Sequence, residues 1–321
     1  MNPAEVHCLG EVFPTLEHAY CFVKAFFAQD DDARKDLASL TDPKDCKRRT
    51  KPHQLQNFRT DHWQVVNYFV VESLAFDKYT RNTSHKNVLL RAKGYIFEAS
   101  PHDSDFGAGL NKTQLRQALN NGCCPAGKNY LGKILESLRD YFASDTKFPP
   151  FLILSDSQGR HLPDHNSYRK IVLPGARIQV LLILARAVHH PAIKATIVFG
   201  GTNNLPYDHI TPIWSNDGAL KPRKVKDIIR GYQQHIPHFL SERPDAHLFV
   251  CEVPPRHNNR STNPRFAPYD SHMQLAVKKL NFEVSKFISS LNSDKIDLVP
   301  LHFSLKDPKF FGTTDSASLC I

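Results

Sequence analysis

The sequence predicts two modules of different class. Residues 1–143 read as a helix-rich α+β half, and residues 151–321 as an α/β half built on a parallel sheet. Three observations predict this. A chain of 321 residues is long enough for two domains at roughly 100–200 residues each. The hydrophobic pattern changes from three-to-four spacing in the first half to short apolar runs alternating with helical stretches in the second. Between them lies a polar linker, 144–150, ending in Pro149-Pro150, which a helix cannot run through.

In chain order, Thr15 is an N-cap residue for a helix over 16–28. Trp63, Val66, Val70 and Leu74 share one face of a second helix over 61–79. Shorter elements are expected at 87–91 and 94–98. Ile134, Leu135, Leu138 and Tyr141 then form the apolar face of a helix over 132–142. In the second half the strand candidates are 151–154, 169–173, 194–199, 246–252 and 296–300, with helices at 177–188, 224–240 and 271–291. Strands alternating with helices predict a parallel sheet covered on both faces.

Hydrophobic residues make up 41% of the chain and charged residues 23%, which excludes disorder throughout. No run approaches the roughly 18–20 apolar residues of a membrane span, and residues 1–10 lack a signal-peptide pattern, so the expectation is an intracellular protein without a membrane partner. The seven cysteines, an odd number without a CxxC, suggest neither a disulfide framework nor a zinc ribbon. Scattered His and Cys lack ligand spacing, and neither a metal nor a cofactor is expected. The formal charge is +9. Residues 1–147 hold 20 basic and 18 acidic residues, and residues 148–321 hold 21 and 14, a surplus of seven. That balance favours an anionic partner, with nucleic acid a candidate for the C-terminal half. Basic clusters occur at Lys44, Lys47, Arg48, Arg49 and Lys51, and at Lys221, Arg223, Lys224 and Lys226. As solvated helix ends or loops they would have no partner.

A first constellation sits on the opening helix. Glu17, Tyr20 and Lys24, spaced by three and four, share a face. A solvated Glu–Lys stripe and a functional group both fit that spacing. Downstream, Glu98-Ala99-Ser100 leads into a loop with Asp105, Phe106, Gly107 and Gly109. Gly127-Lys128-Asn129 opens the last helix of this half, where backbone N–H groups approach a phosphate in many proteins, though such residues are also ordinary turn formers.

In their order and spacing these segments resemble the NADAR family over residues 5–142. The matching strings are Phe13-Pro14-Thr15-Leu16-Glu17 with Tyr20 and Lys24, then Asp42-Pro43-Lys44 up to Trp63. Val88-Leu89-Leu90 to Glu98, Asp105-Phe106-Gly107 with Gly109, and Gly127-Lys128-Asn129 through Gly132 complete the set. There are three departures. The family's opening Ser-Asn-Phe type segment has no counterpart, which leads to the expectation of a truncated module. Phe106 stands where the family has Trp. Some 17 residues, 110–126, widen the gap before Gly127. The resemblance implies an N-glycosidase acting on a ribose–base bond. Some members release ADP-ribose from guanine in DNA, and others act on riboflavin-pathway intermediates. It further implies an ADP-ribose-type ligand. Glu17 or Asp105 would stabilise an oxocarbenium-like state or steer a proton, and Lys24 would attack the opened sugar. Tyr20 would line the site, Trp63 and Phe106 would stack on a base, and Gly107, Gly109, Lys128 and Asn129 would hold the pyrophosphate.

A second constellation follows the strands of the second half. Ser155-Asp156-Ser157, Gly175 and Gly201-Thr202-Asn203-Asn204 each come just after a predicted strand, where open α/β sheets hold their active residues. Ser157 would be a nucleophile, and Gly175 N–H and the Asn203 side chain oxyanion donors. These strings resemble SGNH/GDSL hydrolases over about 150–321, which implies a three-layer, flavodoxin-like α/β fold. The family's closing block is Asp, two residues, then His. Here Asp307 is followed by Phe310, which takes no proton, and His302 has the wrong spacing. The expectation is a degenerate module lacking its base. Three functions stay open: an N-glycosidase in the first half, an esterase working through Ser157, or a binding protein with both halves decayed.

Overall fold

The computed structural model describes residues 4–143, 148–205, 222–254 and 267–301, with side chains from 225 and 274 onward in the last two segments. The chain divides into two units, Met1–Phe148 and Pro149–Ile321.

The first unit opens with an antiparallel hairpin, β1 (Val6–Cys8) and β2 (Glu11–Phe13), which the sequence reading did not predict. Its two-residue turn, Leu9-Gly10, has φ of 55° and 81°. Positive φ at both positions matches the twist of a two-residue hairpin. Val6 and Cys8 face inward, and the His7 N–H donates to the buried Asp77 carboxylate at 2.7 Å. Helix α1 (Leu16–Phe27) begins where expected, with Thr15 capping the His18 N–H. Two short helices follow, α2 (Asp31–Ser39) and α3 (Pro43–Arg49). Asp30 caps the first by accepting Ala33 N–H at 2.8 Å, and its other oxygen accepts Gln56 N–H at 2.8 Å. One buried carboxylate thus starts a helix and pins the chain that returns to it. Cys21 and Ala25 of α1, Ala33 and Leu37 of α2, Cys46 of α3 and Leu55 close a small apolar cluster.

Helix α4 (Thr60–Arg81) is the spine of the unit and contacts β1, α1 and α7. It runs two residues beyond the expected end. Helix α5 (Thr83–Arg91) begins earlier than the expected 87–91. The expected element at 94–98 is absent. That segment has no ladder partner and is held by side chains of the last helix instead. Helix α6 (Lys112–Asn120), started by an Asn111–Gln114 capping box, lies in the stretch that widens the gap before Gly127. Helix α7 (Tyr130–Phe142) buries Ile134 and Leu138 on α4's side of the core.

The second unit is a five-stranded, wholly parallel sheet: β3 (Phe151–Ser155), β4 (Tyr168–Val172), β5 (Ala195–Phe199), β6 (His247–Cys251) and β7 (Ile296–Val299). The spatial order is β4-β3-β5-β6-β7. All five strands lie where the sequence placed them. Helices α8 (Ile178–Ala187), α9 (Pro222–Glu242) and α10 (Ala267–Ser290) connect them. Each crossover steps across the sheet in the same direction, so right-handed connections put all three helices on one face. The β3–β4 connection, which would cover the other face, contains only a short 3-10 turn at Ser157–His161. Among the described residues there are therefore two layers of regular structure, not three. Burial agrees: Thr196, Val198, Leu248 and Val250 are buried, whereas Ile197, Phe199 and Phe249 on the opposite face are half-buried. Three lysines behind the basic surplus, Lys278, Lys279 and Lys286, flank the exposed Phe282 on the outer face of α10. No helix among the described residues is long and apolar enough to cross a membrane.

Candidate functional site

In the first unit the α1 face carries Glu17, Tyr20 and Lys24, all half-buried. The Trp63 indole N–H of α4 donates to the Tyr20 hydroxyl at 3.1 Å. Burial, with Glu17, Cys21 and Asp103 adding to it, raises Tyr20 well above an ordinary phenol despite that bond. The hydroxyl keeps its proton and can donate it to a ligand. Trp63 itself is 5% exposed, its ring flanked by Tyr20, Phe27 and Phe58 with centroids 5.4–5.9 Å away. It is a wall of the site and a core residue, rather than a free stacking surface.

Lys24 forms no ion pair among the described residues. Its Nζ lies 5.0 Å from the centre of the Phe58 ring. Burial lowers its pKa below the usual lysine range. Cys21 and Glu17 oppose that shift, and the charge on Lys47 reinforces it. Cys21 lies one turn before, with Sγ 3.9 Å from the Glu17 carboxylate, and burial pushes its thiol up to about 12. It is a neutral neighbour, not a nucleophile.

Two acids that the sequence reading did not select join this group. Glu98 is half-buried. Its pKa is raised by burial first, then by Asp103 and Glu17, with Lys47 acting against them. Its backbone is fixed at both ends: the N–H donates to Asn129 Oδ1 at 3.0 Å, and the carbonyl accepts from Ser100 and Ala108 at 3.0 and 2.8 Å. Asp103 Oδ1 accepts the N–H groups of Asp105 and Phe106 at 3.0 and 2.8 Å, an Asx turn that shapes the loop. The signal for Glu98 was a lone acid ending the apolar run Tyr95-Ile96-Phe97. For Asp103 it was a short acceptor two residues before another Asp.

The loop 103–109 and the start of α7 are used differently from the expectation. The N–H groups of Gly127, Lys128, Asn129, Tyr130 and Leu131 donate to the carbonyls of Ala108, Ser104, Gly107, Asp105 and Phe106, at 2.7–3.1 Å. The amides expected to cradle a pyrophosphate are thus spent on the protein's own loop. Asn129, 6% exposed, has φ 51° and does not cap its helix. Its amide donates to Ile96 O at 2.7 Å and accepts from Glu98 N–H, so it is a strut under Glu98. Gly107 is buried with no room for a side chain, since a Cβ there would meet Asp103 O and Ser100 Cβ at 2.7 and 2.8 Å, and Gly109 turns the chain with φ 70°. Asp105 pairs with Lys128 at 2.8 Å on the surface, with both side chains more than half exposed. Phe106 packs edge-on against Tyr130, centroids 5.9 Å apart. The structure therefore groups Glu17, Tyr20, Lys24 and Trp63 with Glu98 and Asp103. Asp105, Phe106 and Lys128 form a separate cluster at the start of α7.

In the second unit, chain connections from β3 and β5 leave in opposite directions, and the crevice at their C-terminal ends is where such sheets bind ligands. Asp156 is fully buried there. It accepts from Gln158 N–H at 2.9 Å, Thr202 Oγ1 at 3.0 Å and Asn203 Nδ2 at 3.2 Å, tying the two turns together. Ser157, the next residue, is half-buried, and no described residue hydrogen-bonds its hydroxyl. The Asn203 amide, expected to be an oxyanion donor, gives its hydrogens to Asp156 and to Ala176 O at 3.1 Å. Gly175 turns the chain with φ 80°. His302, Asp307 and Phe310 lie outside the described residues.

Residues 1–143 match the NADAR domain family. Among solved structures, the NMR structure of the E. coli protein YbiA is similar at 21% identity and a TM-score of 0.35, over 44% of this chain and 74% of that one. No curated protein matches the chain.

Proposed function

We propose that the first unit is an N-glycosidase that cleaves the bond between a ribose and a base in an ADP-ribose-type substrate. The observation that carries this reading is Lys24: a half-buried amine that forms no ion pair among the described residues, on the helix face it shares with Glu17 and the protonated Tyr20. The match of residues 1–143 to the NADAR domain supports it at the level of the reaction class.

The chemistry follows from the charges. Glu98, in the protonated form that its surroundings favour, gives its proton to the base nitrogen as the C–N bond breaks and the bonding pair leaves with the base. The carboxylates of Glu17 and Asp103 stabilise the positive charge that develops on the ribose. The neutral amine of Lys24 then attacks the anomeric carbon. It loses a proton to the Glu98 carboxylate, which passes that proton to the ring oxygen as the ring C–O bond opens to an iminium. Water hydrolyses the iminium, releasing the sugar and restoring the amine. Tyr20 donates a hydrogen bond to the sugar.

The test is release of ADP-ribose from guanine-ADP-ribosylated single-stranded DNA with borohydride in the mixture. Wild type should release the sugar, and borohydride should trap it on Lys24 as a stable amine visible by mass spectrometry. Release that continues undiminished in Lys24→Ala would overturn the assignment.

The pH profile separates the two partners. The reaction needs Glu98 protonated and Lys24 neutral. Glu98 titrates below Lys24, so the wild-type rate rises up to the pKa of Glu98, stays flat between the two, and falls above that of Lys24. Glu98→Gln should be slower by about 10²-fold or more. Its rate should climb with pH across the interval where the wild type is flat. A variant profile parallel to the wild type would remove Glu98 from the proton transfer.

For the second unit the reading is a degenerate SGNH-like module in which Ser157 is not a nucleophile. The support is the absence, among the described residues, of a base on its hydroxyl, and the use of Asn203 inside the protein. A fluorophosphonate probe should leave Ser157 unlabelled. Labelling that disappears in Ser157→Ala would instead establish the esterase.

A further inference from the structure

We propose that Lys47, on the exposed side of α3, binds the phosphates of the substrate and is the site's pyrophosphate anchor, with Lys44 and Lys51 extending the same cationic face. The inference rests on the glycosidase reading of the α1 face. It starts from a vacancy in that reading: the α7 amides, the expected phosphate cradle, are closed by the protein's own carbonyls. A doubly charged linker still needs a cation.

Several other cations of the first unit are already paired. Arg48 pairs with Asp45 at 2.9 Å, and Arg49 with Asp36 at 2.6 Å. Arg59 pairs with Asp61 at 2.6 Å, and Lys128 with Asp105 at 2.8 Å. Lys44, Lys47 and Lys51 are exposed and form no ion pair among the described residues. Lys44 and Lys47, three apart on α3, share a side of that helix, and Lys51 follows two residues after its end.

Packing sets α3 against α1. Its neighbour Cys46 is buried in the cluster that holds Cys21 and Ala25, the residues flanking Lys24 by three positions on one side and one on the other. α3 therefore lies alongside the segment of α1 that carries Lys24. The Lys47 charge acts on both Lys24 and Glu98, in agreement with that packing. A flexible lysine at a rim suits a phosphate that arrives with the sugar, because it acts as a point charge and needs no fixed geometry.

The probe is inorganic pyrophosphate, titrated calorimetrically into the full chain at low salt. Wild type should bind it, and more weakly as salt rises. Lys47→Ala should weaken binding at least tenfold and lower the affinity for ADP-ribose by a similar factor. Lys112→Ala, on the exposed side of α6, should change neither. Lys24→Ala should keep pyrophosphate binding. An unchanged melting temperature for Lys47→Ala would show that the fold survives. No binding by wild type, or equal binding by Lys47→Ala, overturns the proposal. The two readings fail separately: pyrophosphate binding that depends on Lys47, without any turnover of ADP-ribosylated DNA, retains the phosphate site and discards the glycosidase.

Discussion

Lys24→Ala is expected to lower sugar release by about 10³-fold or more, the range seen when a covalent nucleophile is removed. Lys24→Met is expected to do the same while raising the thermal midpoint of the first unit. The two effects share one cause. Burial lowers the pKa of Lys24, so the folded state disfavours its charge, and at neutral pH the charged amine costs stability. Methionine keeps most of the length and the contact with Phe58, without the charge. The sign with pH follows. The native pKa lies below the unfolded one, so the wild type gains stability as pH rises from the native pKa towards the unfolded one. The advantage of Lys24→Met should narrow over the same interval. A methionine variant that melts below wild type at neutral pH would mean that Lys24 is a structural cation rather than a strained functional one.

Gly132→Ala is expected to cost about 3–5 kcal/mol in the first unit, combining overpacking with the loss of buried hydrogen bonds. Gly132 sits in the first turn of α7, directly under the Asn129 side chain. A Cβ there would lie inside contact distance of Ile96 O and of the Asn129 amide, and 2.8 Å from Asn129 Cγ. Neither neighbour can give way cheaply, because Ile96 O is backbone and Asn129 is held at both ends. If the amide moves, Ile96 O and Glu98 N–H lose their partners and the strut beneath Glu98 fails. In a Trp214→Phe background, Trp63 fluorescence would report urea unfolding of this unit alone. A shift of less than about 1 kcal/mol would show that the strut yields at little cost. Activity should fall with stability, since the backbone that presents Glu98 depends on the same contact.

How far each element was legible depended on the reach of its cause. Helix α1 and all five strands of the second unit were readable because a cap, an apolar period or a short buried run lies within the segment itself. The β1–β2 hairpin was not. Its strands are three residues each, and Asp77, some 70 residues away, supplies one of its anchors. The element expected at 94–98 was misread for a similar reason. Its apolar run looks like a strand, but the hydrogen bonds go to Glu136 on α7 and to Asn129 just before it.

The sequence by itself determined the division into two modules, the parallel character of the second, and the shared face of Glu17, Tyr20 and Lys24. These follow from local periodicity, which is written in neighbouring residues. Only the tertiary structure decided which distant groups meet that face. Asn129 became a strut, the α7 amides closed on a loop, and Glu98 and Asp103 joined the residues of the α1 face. The physical reason is that buried polar groups must find partners, and which partner each one finds depends on packing across the whole unit.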